Sequence, residues 1–374
     1  MGLTKYAFGE LIELCFIRNS DGKYKEDSTI GVNIDKEIRV MKGDTASKDL
    51  KTFYIVKPDF FVYNPRGSRK LGLGYNDSNI TYITTFNNMI FRIKDEARKI
   101  VLPKYLFMYL SRQEWDRKAE FLSWGSSTEV FSWDTFCETT ILLPSVSVQQ
   151  KYVNVYNAML ANQQTYEIGL EDLKLTCDAY IERLRREMPQ TAIGEYIRQS
   201  DERNGIGLGA ESVRGLAVSK AMIETKADMN GVSLGNYKVV PPKYIAYVPD
   251  TSRRGDKMSL GFNGSDETYL VSSISTVFGT ETERLLPEYL MLFFIRSEFD
   301  RYTRFHSWGS ARETFGWDDM REVKIPIPDV DVQQSIVNIY NSYLTRREIN
   351  EKMKAQIKDI CPILIKGSLE AVGA

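Results

Sequence analysis

The stretch from Ser123 to Asp134, Ser-Trp-Gly-Ser-Ser-Thr-Glu-Val-Phe-Ser-Trp-Asp, returns as Ser307 to Asp318, Ser-Trp-Gly-Ser-Ala-Arg-Glu-Thr-Phe-Gly-Trp-Asp. Trp124 to Trp308, Trp133 to Trp317, Pro144 to Pro328, Gln149 to Gln333 and Gln150 to Gln334 all keep a displacement of 184 residues. A repeat this long means one physical unit written twice, so both the fold and the function are expected in two halves.

The length of 374 residues fits two domains and a connector. With 43% hydrophobic and 26% charged residues, each half has material for its own core. Lys plus Arg total 49 against 50 Asp plus Glu, so the net charge of -1 exerts no global pull on nucleic acid. A locally basic cleft on a neutral molecule remains compatible with DNA. The four cysteines, Cys15, Cys137, Cys177 and Cys361, form no Cys-x-x-Cys pair, and His306 is the lone histidine, which argues against a zinc centre. No apolar run reaches signal or membrane-span length, so a cytoplasmic protein with reduced thiols and no membrane partner is expected.

Along the chain, Phe8-Gly9-Glu10-Leu11-Ile12 pairs with Ile193-Gly194-Glu195-Tyr196-Ile197, and Gly31 with Gly215, each glycine in a strand-like apolar setting. Pro58 to Pro65 aligns with Pro242 to Pro249, and its aromatic and β-branched residues read as a strand running into a turn. That turn becomes basic: Arg66-Gly67-Ser68-Arg69-Lys70 in the first half, Ser252-Arg253-Arg254-Gly255-Asp256-Lys257 in the second. Leu73-Gly74-Tyr75-Asn76 matches Leu260-Gly261-Phe262-Asn263 at a displacement of 187, so the second loop is three residues longer. Tyr82 and Tyr269 lie in alternating segments typical of strands, and Leu102-Pro103 and Leu286-Pro287 open helical patterns with proline in the first turn.

After Pro144 and Pro328 come long polar segments with an apolar stripe: Val155, Met159, Tyr166, Leu170, Leu173, Cys177, Tyr180 and Leu184, then Ile339, Tyr343, Met353, Ile357, Cys361 and Leu364. Some 40 helical residues would run about 60 Å. Each helix is expected to bury its stripe against the other, with one globular domain at each end, and Pro362 is expected to kink or end the second.

Catalytic sets are scarce. His306 is replaced by Leu122 in the first copy, there is no Gly-x-Ser-x-Gly elbow and no phosphate-binding Gly-x-x-x-x-Gly-Lys loop. The glycine clusters at 72 to 74 and 205 to 209 do not complete a dinucleotide pattern, and Pro58-Asp59 becomes Pro242-Lys243, which argues against a metal-ligand role for Asp59.

The basic loops are the better candidates. Arg66, Arg69 and Lys70, with Arg253, Arg254 and Lys257, stand beside Asn64, Asn76 and Asn263, residue types that bind phosphates or base edges. Alone, such a loop also reads as a solvated charged turn. Its presence in both copies, with a shared frame and different tips, favours recognition. In the Trp-Gly-Ser repeat, Trp124, Phe131, Trp133 and their partners are expected mostly in the core. The turns that follow, Ser126-Ser127-Thr128 and Ser310-Ala311-Arg312, present hydroxyls, amides and a guanidinium suited to a phosphate backbone.

Taken in order, the duplicated Gly-Ser turn with Thr128 or Arg312 and Glu129 or Glu313, the strand ending at Leu143-Pro144 or Ile327-Pro328, the Val-Gln-Gln that opens each helix, and Phe61-Val62-Tyr63-Asn64-Pro65-Arg66 resemble a type I restriction-modification specificity subunit over essentially the whole chain. Departures are Asp250 in place of Arg66, and Pro362. The resemblance implies an α+β fold of two duplicated α/β target-recognition domains, 1–145 and 190–329, joined by two long antiparallel coiled-coil helices, 146–189 and 330–374. It further implies a non-catalytic DNA-binding subunit. Each domain would read half of a bipartite double-stranded target, and the helices would set the spacing. Two adenine methyltransferase subunits would dock on the helices and carry the S-adenosylmethionine, none being bound directly by this chain, and restriction subunits would complete the complex. The alternatives are a stand-alone nucleic-acid enzyme and a two-headed protein scaffold. The absence of duplicated catalytic sets counts against the first, while neutral charge and long helices are compatible with the second.

Overall fold

The structure, a computed structural model, describes residues 2–41, 49–66, 70–125, 129–205, 207–225, 227–250, 257–309 and 313–371. The chain forms two compact units, Met1–Glu167 with Ile349–Ala374, and Ile168–Glu348.

In the first unit, Ile12–Leu14, Met89–Ile93, Phe61–Tyr63 and Leu73–Tyr75 lie side by side in that order as an antiparallel four-stranded sheet. Register places Phe61 opposite both Phe91 and Tyr75, and the rings stack at 4.9 and 4.7 Å between centroids. This aromatic seam covers one sheet face. Helices Pro103–Leu110 and Gln113–Phe121 add Tyr105, Leu106, Met108 and Trp115 to the same core. The helical pattern read after Leu102 is therefore two helices, separated at Ser111 and Arg112, with proline in the first turn of the first. Thr4–Ala7 pairs antiparallel with Thr140–Leu143, the strand that leads into the long helix Val146–Glu187.

The second unit repeats this plan. Its sheet runs Ile197–Ser200, Thr276–Thr280, Ile245–Tyr247, Leu260–Phe262, and Thr191–Ala192 pairs with Lys324–Ile325 ahead of the second long helix, Val330–Glu370. The helices Pro287–Phe294 and Ser297–Phe305 occupy the places of their first-half counterparts. The fold is thus α+β, two copies of one mixed unit carrying two long helices.

Those helices are antiparallel. In the first unit the ring of Tyr152 lies against Gly367, Gln163 donates to Asn350 Oδ1 at 3.1 Å, and Lys354 reaches Glu167 at 2.8 Å. In the second, Arg346 lies against Gly169. The buried stripe of the first helix is Val153, Tyr156, Leu170, Cys177, Ile181 and Leu184, whereas Val155 is 49% and Tyr180 40% exposed. The expected stripe was one residue out of phase at those two places. A single apolar residue on the wrong side of a helix is common, since much protein surface is apolar.

Pro362 does not end its helix, which continues to Glu370. Losing one backbone hydrogen bond and fitting the ring costs roughly 3 kcal/mol. Against it stands the burial of Ile357, Leu364 and Ile365 in the first unit's core, each worth about 1.5–3 kcal/mol for a large apolar side chain, with the smaller Cys361 buried beside Pro362 in the same helix.

Candidate nucleic-acid interface

The two candidate loops, far apart in sequence, are adjacent in each unit. Arg66 forms a β-bridge with Val130, which is itself paired with Trp124. The Phe131 amide donates to Pro65 O at 2.8 Å. In the second unit Asp250 and Trp308 both bridge Thr314, and Phe315 donates to Pro249 O at 2.9 Å. The base of the basic turn and the stem of the Trp-Gly-Ser turn therefore form one rim per unit. Gly125 and Gly309, at φ 157° and 144°, begin the turn in a region that favours glycine.

Beneath the rim lies a buried ion pair that no local motif announces. Lys36 sits at the tip of the hairpin Ile30–Val32 with Ile38–Val40, at φ 63°, a conformation unfavourable for a residue with a Cβ. From there its amine donates to Leu71 O at 2.6 Å and to Asp116 Oδ1, while Asp116 Oδ1 also accepts the Leu71 amide at 3.2 Å. Lys220, again at φ 63°, repeats this with Met258 O at 2.8 Å and Asp300, whose Oδ1 takes the Met258 amide at 3.0 Å. Burial pulls both lysine pKa values down, and the facing carboxylate works against that shift. Leu71 and Met258 are the residues where the basic loops rejoin the sheet, so each pair fastens a loop end to a helix.

Arg66, Lys70 and Lys257 are exposed on the rim, and Asn64 is half-buried, its Oδ1 accepting the Arg66 amide at 3.0 Å. Lys70, Glu120 and Ser123 line a small hollow where the loop meets the helix end. Asn76 and Asn263 are corrected from contact residues to frame residues. They are 2% and 1% exposed. Asn76 donates to Val56 O and Ile80 O and accepts from both the amide and hydroxyl of Ser78, and Asn263 does the same with Val240, Glu267 and Ser265. With every donor and acceptor used inside the fold, neither amide is available to a base. Arg69, Ser126, Ser127, Thr128, Arg253, Arg254, Ser310 and Arg312 lie outside the described residues.

The tryptophans divide. Phe131 and Phe315 are in the core as expected, and Trp133 and Trp317 are half-buried. Trp124 and Trp308 stand 79% and 66% exposed, which overturns the expectation that they are core. Their backbones are held by the bridge to Val130 or Thr314, which turns the indoles outward.

The Val-Gln-Gln motif also gains a physical role. Gln149 is fully buried, accepts the Leu102 amide at 3.0 Å and donates to Ile100 O and Pro144 O; Gln333 repeats this with Leu286, Arg284 and Pro328. Each glutamine ties the start of a long helix to the preceding domain.

His306 lies with its ring 4.2 Å from that of Tyr302 and lines a cavity of about 640 Å³ in the second unit, together with Arg296, Asp319 and Lys324. None of the candidate loop residues that are described line it. Among the described residues no group of three or more His, Cys, Asp or Glu side chains is arranged to hold a metal, and no helix is long and apolar enough to cross a membrane.

Residues 258–359 match the family model of the type I restriction modification DNA specificity domain. No match was found among curated proteins. Among solved structures, the S subunit of a type I restriction-modification system from M. genitalium is similar at 14% identity and a TM-score of 0.53, covering 99% of this chain and 96% of its own. The HsdS subunit from Thermoanaerobacter tengcongensis aligns at 12% identity and a TM-score of 0.44, covering 99% and 97%. A chain from a study of complex assembly and conformational transition of the type I R-M system aligns at 14% and 0.48, covering 98% of each. The M. genitalium likeness supports the fold from end to end, and the family model meets the second copy of the repeat, from the loop anchor Met258 into the second long helix. Over residues 258–359 this chain is thus similar to the type I restriction modification DNA specificity domain, and over its whole length it has the fold of the M. genitalium S subunit.

Proposed function

We propose that each unit reads one half of a bipartite DNA target through its rim, and that the long helices set the distance between the halves and dock two adenine methyltransferase subunits. In this reading the chain is not itself an enzyme. S-adenosylmethionine is carried by the methyltransferase, restriction subunits complete the full assembly, and the complex works on cytoplasmic DNA. The observation that carries the reading is the joining, in both units, of the basic turn to the Trp-Gly-Ser turn through one bridged residue. Loops that differ at their tips on a frame that does not is the arrangement expected of two readers with different targets. Lys70 and Lys257 supply exposed charge for phosphates, and arginine, the residue type at 69, 253 and 254, is the one that binds guanine bidentately.

The test is methylation of a random DNA library by this chain mixed with its partner methyltransferase, each alone serving as control. A two-part methylated motif from the mixture only is the expected result, and modification by this chain alone would refute the reading. Within it, Arg69→Ala should relax one half of the motif and Arg253→Ala the other. Uniform weakening on all DNA by both would reassign these residues to phosphate contact.

A further inference from the structure

Four large aromatic side chains stand in water along the two rims. Phe121 and Phe305 close their helices at 83% and 75% exposure, and Trp124 and Trp308 follow three residues later. One helical turn before each phenylalanine stands an exposed arginine, Arg117 or Arg301, on the same helix face. Arginine, phenylalanine and tryptophan thus recur as a set at the repeat displacement. Between them the residues have changed freely: Lys118 is Tyr302, Glu120 is Arg304 and Leu122 is His306.

Other aromatic residues of the same segments, Trp115 and Phe131, or Phe299 and Phe315, are buried, so these four are set apart from their neighbours in sequence. Scattered exposed apolar residues need no explanation, but the same three-residue set appearing in both copies does. Its size and charge point to the occupant. Two aromatic side chains offer about 300–500 Å², well below the roughly 800 Å² per partner of a stable protein interface. A wedge against DNA needs no more than one or two rings. The set is also cationic at one end and continues through the Trp124–Val130–Arg66 bridge into the basic turn, with Lys70 and Lys257 on the two rims. A polyanion with flat apolar faces complements both properties.

We propose that Arg117, Phe121 and Trp124, and likewise Arg301, Phe305 and Trp308, make a sequence-neutral contact with duplex DNA at each half-site, the arginine on a phosphate and the rings against deoxyribose and base faces. The inference rests on the DNA-reading role proposed above and adds to it a grip that does not read sequence.

The experiment uses the full chain with its partner methyltransferase. Phe121→Ala/Trp124→Ala and Phe305→Ala/Trp308→Ala are titrated against duplexes carrying matched or scrambled half-sites, at two salt concentrations. Each double variant should weaken binding by ~5- to 150-fold on every duplex. The methylated motif and the salt slope should stay unchanged. Arg117→Ala should lower the slope of log affinity against log salt by about 1. Trp124→Tyr should restore binding, since it keeps a ring. Loss on one base sequence only would overturn the neutral contact. Unchanged DNA affinity with loss of methyltransferase association would also overturn it and make the patch a protein dock. If the wild-type complex methylates a two-part motif and the variants bind DNA normally, the wedge alone falls. If the wild-type complex methylates no such motif, the functional reading fails and takes the wedge with it.

Discussion

In the first half Lys36 joins Asp116 to Leu71; in the second Lys220 joins Asp300 to Met258, atom for atom. Gln149 and Gln333 are matched just as closely. At the surface the halves part company. Asp59 pairs with Arg98 in one, whereas its counterpart Lys243 carries the opposite charge and pairs with Glu288, the counterpart of Lys104, in the other. Arg66 becomes Asp250 on the rim. Even Tyr105 and Tyr289, both buried, bond differently, one with the Ser368 hydroxyl and one to the Pro326 carbonyl. The difference follows from what a change costs. Reversing an exposed pair moves stability by about 0–1 kcal/mol, whereas removing one partner of a buried pair strands a charge at several times that cost. A loop on such a frame can therefore change its tip residues while its anchors stay fixed.

The sharpest way to break the equivalence is at the anchors. Lys36→Met should destabilise the first unit by about 4 kcal/mol, because Asp116 is left buried without its cation. Lys220→Met should do the same to the second through Asp300. Hydrogen exchange across the hairpins Ile30–Val40 and Arg214–Glu224 in the full chain would report each loss separately. Lys36→Met/Asp116→Leu should recover most of it, since an apolar pair removes the stranded charge. Equal losses sustain the view of one duplicated frame; a loss confined to one hairpin would mean the two pairs serve different ends.

A smaller effect is expected at the helix junctions. Gln149→Leu leaves the Leu102 amide and the carbonyls of Ile100 and Pro144 without that partner, and should cost about 3 kcal/mol. Gln333→Leu should match it through Leu286, Arg284 and Pro328. Denaturant unfolding of the two variants, compared with wild type, checks this. A markedly cheaper substitution in one half would show that its helix is held by other contacts.

These anchors mark how far the sequence could be read. The repeat, the strands around Tyr82 and Tyr269, the proline-led helices and the long helices were legible because period, turn chemistry and proline placement are local. The rim was half legible: both turns were singled out, but nothing local says that Pro65 and Phe131 touch. Lys36 and Asp116 were missed because a lysine in a hairpin and an aspartate in a helix look like surface residues until folding puts them together. One signal was available, since both keep the 184-residue displacement with identical residues. Asn76 misled for the opposite reason: asparagine beside a basic loop suits base contact and turn closure equally, and only burial decides. Trp124 misled because aromatic residues usually find the core, and its outward direction is set by a backbone bridge to Val130.

The finest comparison is at two glycines with the same place in the sheet. A Cβ on Gly74 would meet side-chain carbons, Ile38 Cγ1 at 2.5 Å and Val32 Cγ1 at 2.9 Å. On Gly261 it would meet Met222 Cγ at 2.6 Å and backbone atoms, Met222 N at 2.9 Å and the Ala221 carbonyl carbon at 3.1 Å. Side chains can turn aside, and a hairpin backbone must move as a body. Gly261→Ala should therefore cost about 2 kcal/mol and Gly74→Ala about 1 kcal/mol, read as shifts in denaturation midpoint. Each hairpin also carries the lysine that anchors its loop, so Gly261→Ala should in addition speed exchange at the Met258 amide, which Asp300 accepts, more than Gly74→Ala does at the Leu71 amide. If the order is reversed, the two hairpins differ in stiffness, and the frame is less alike in the two halves than its hydrogen bonds indicate.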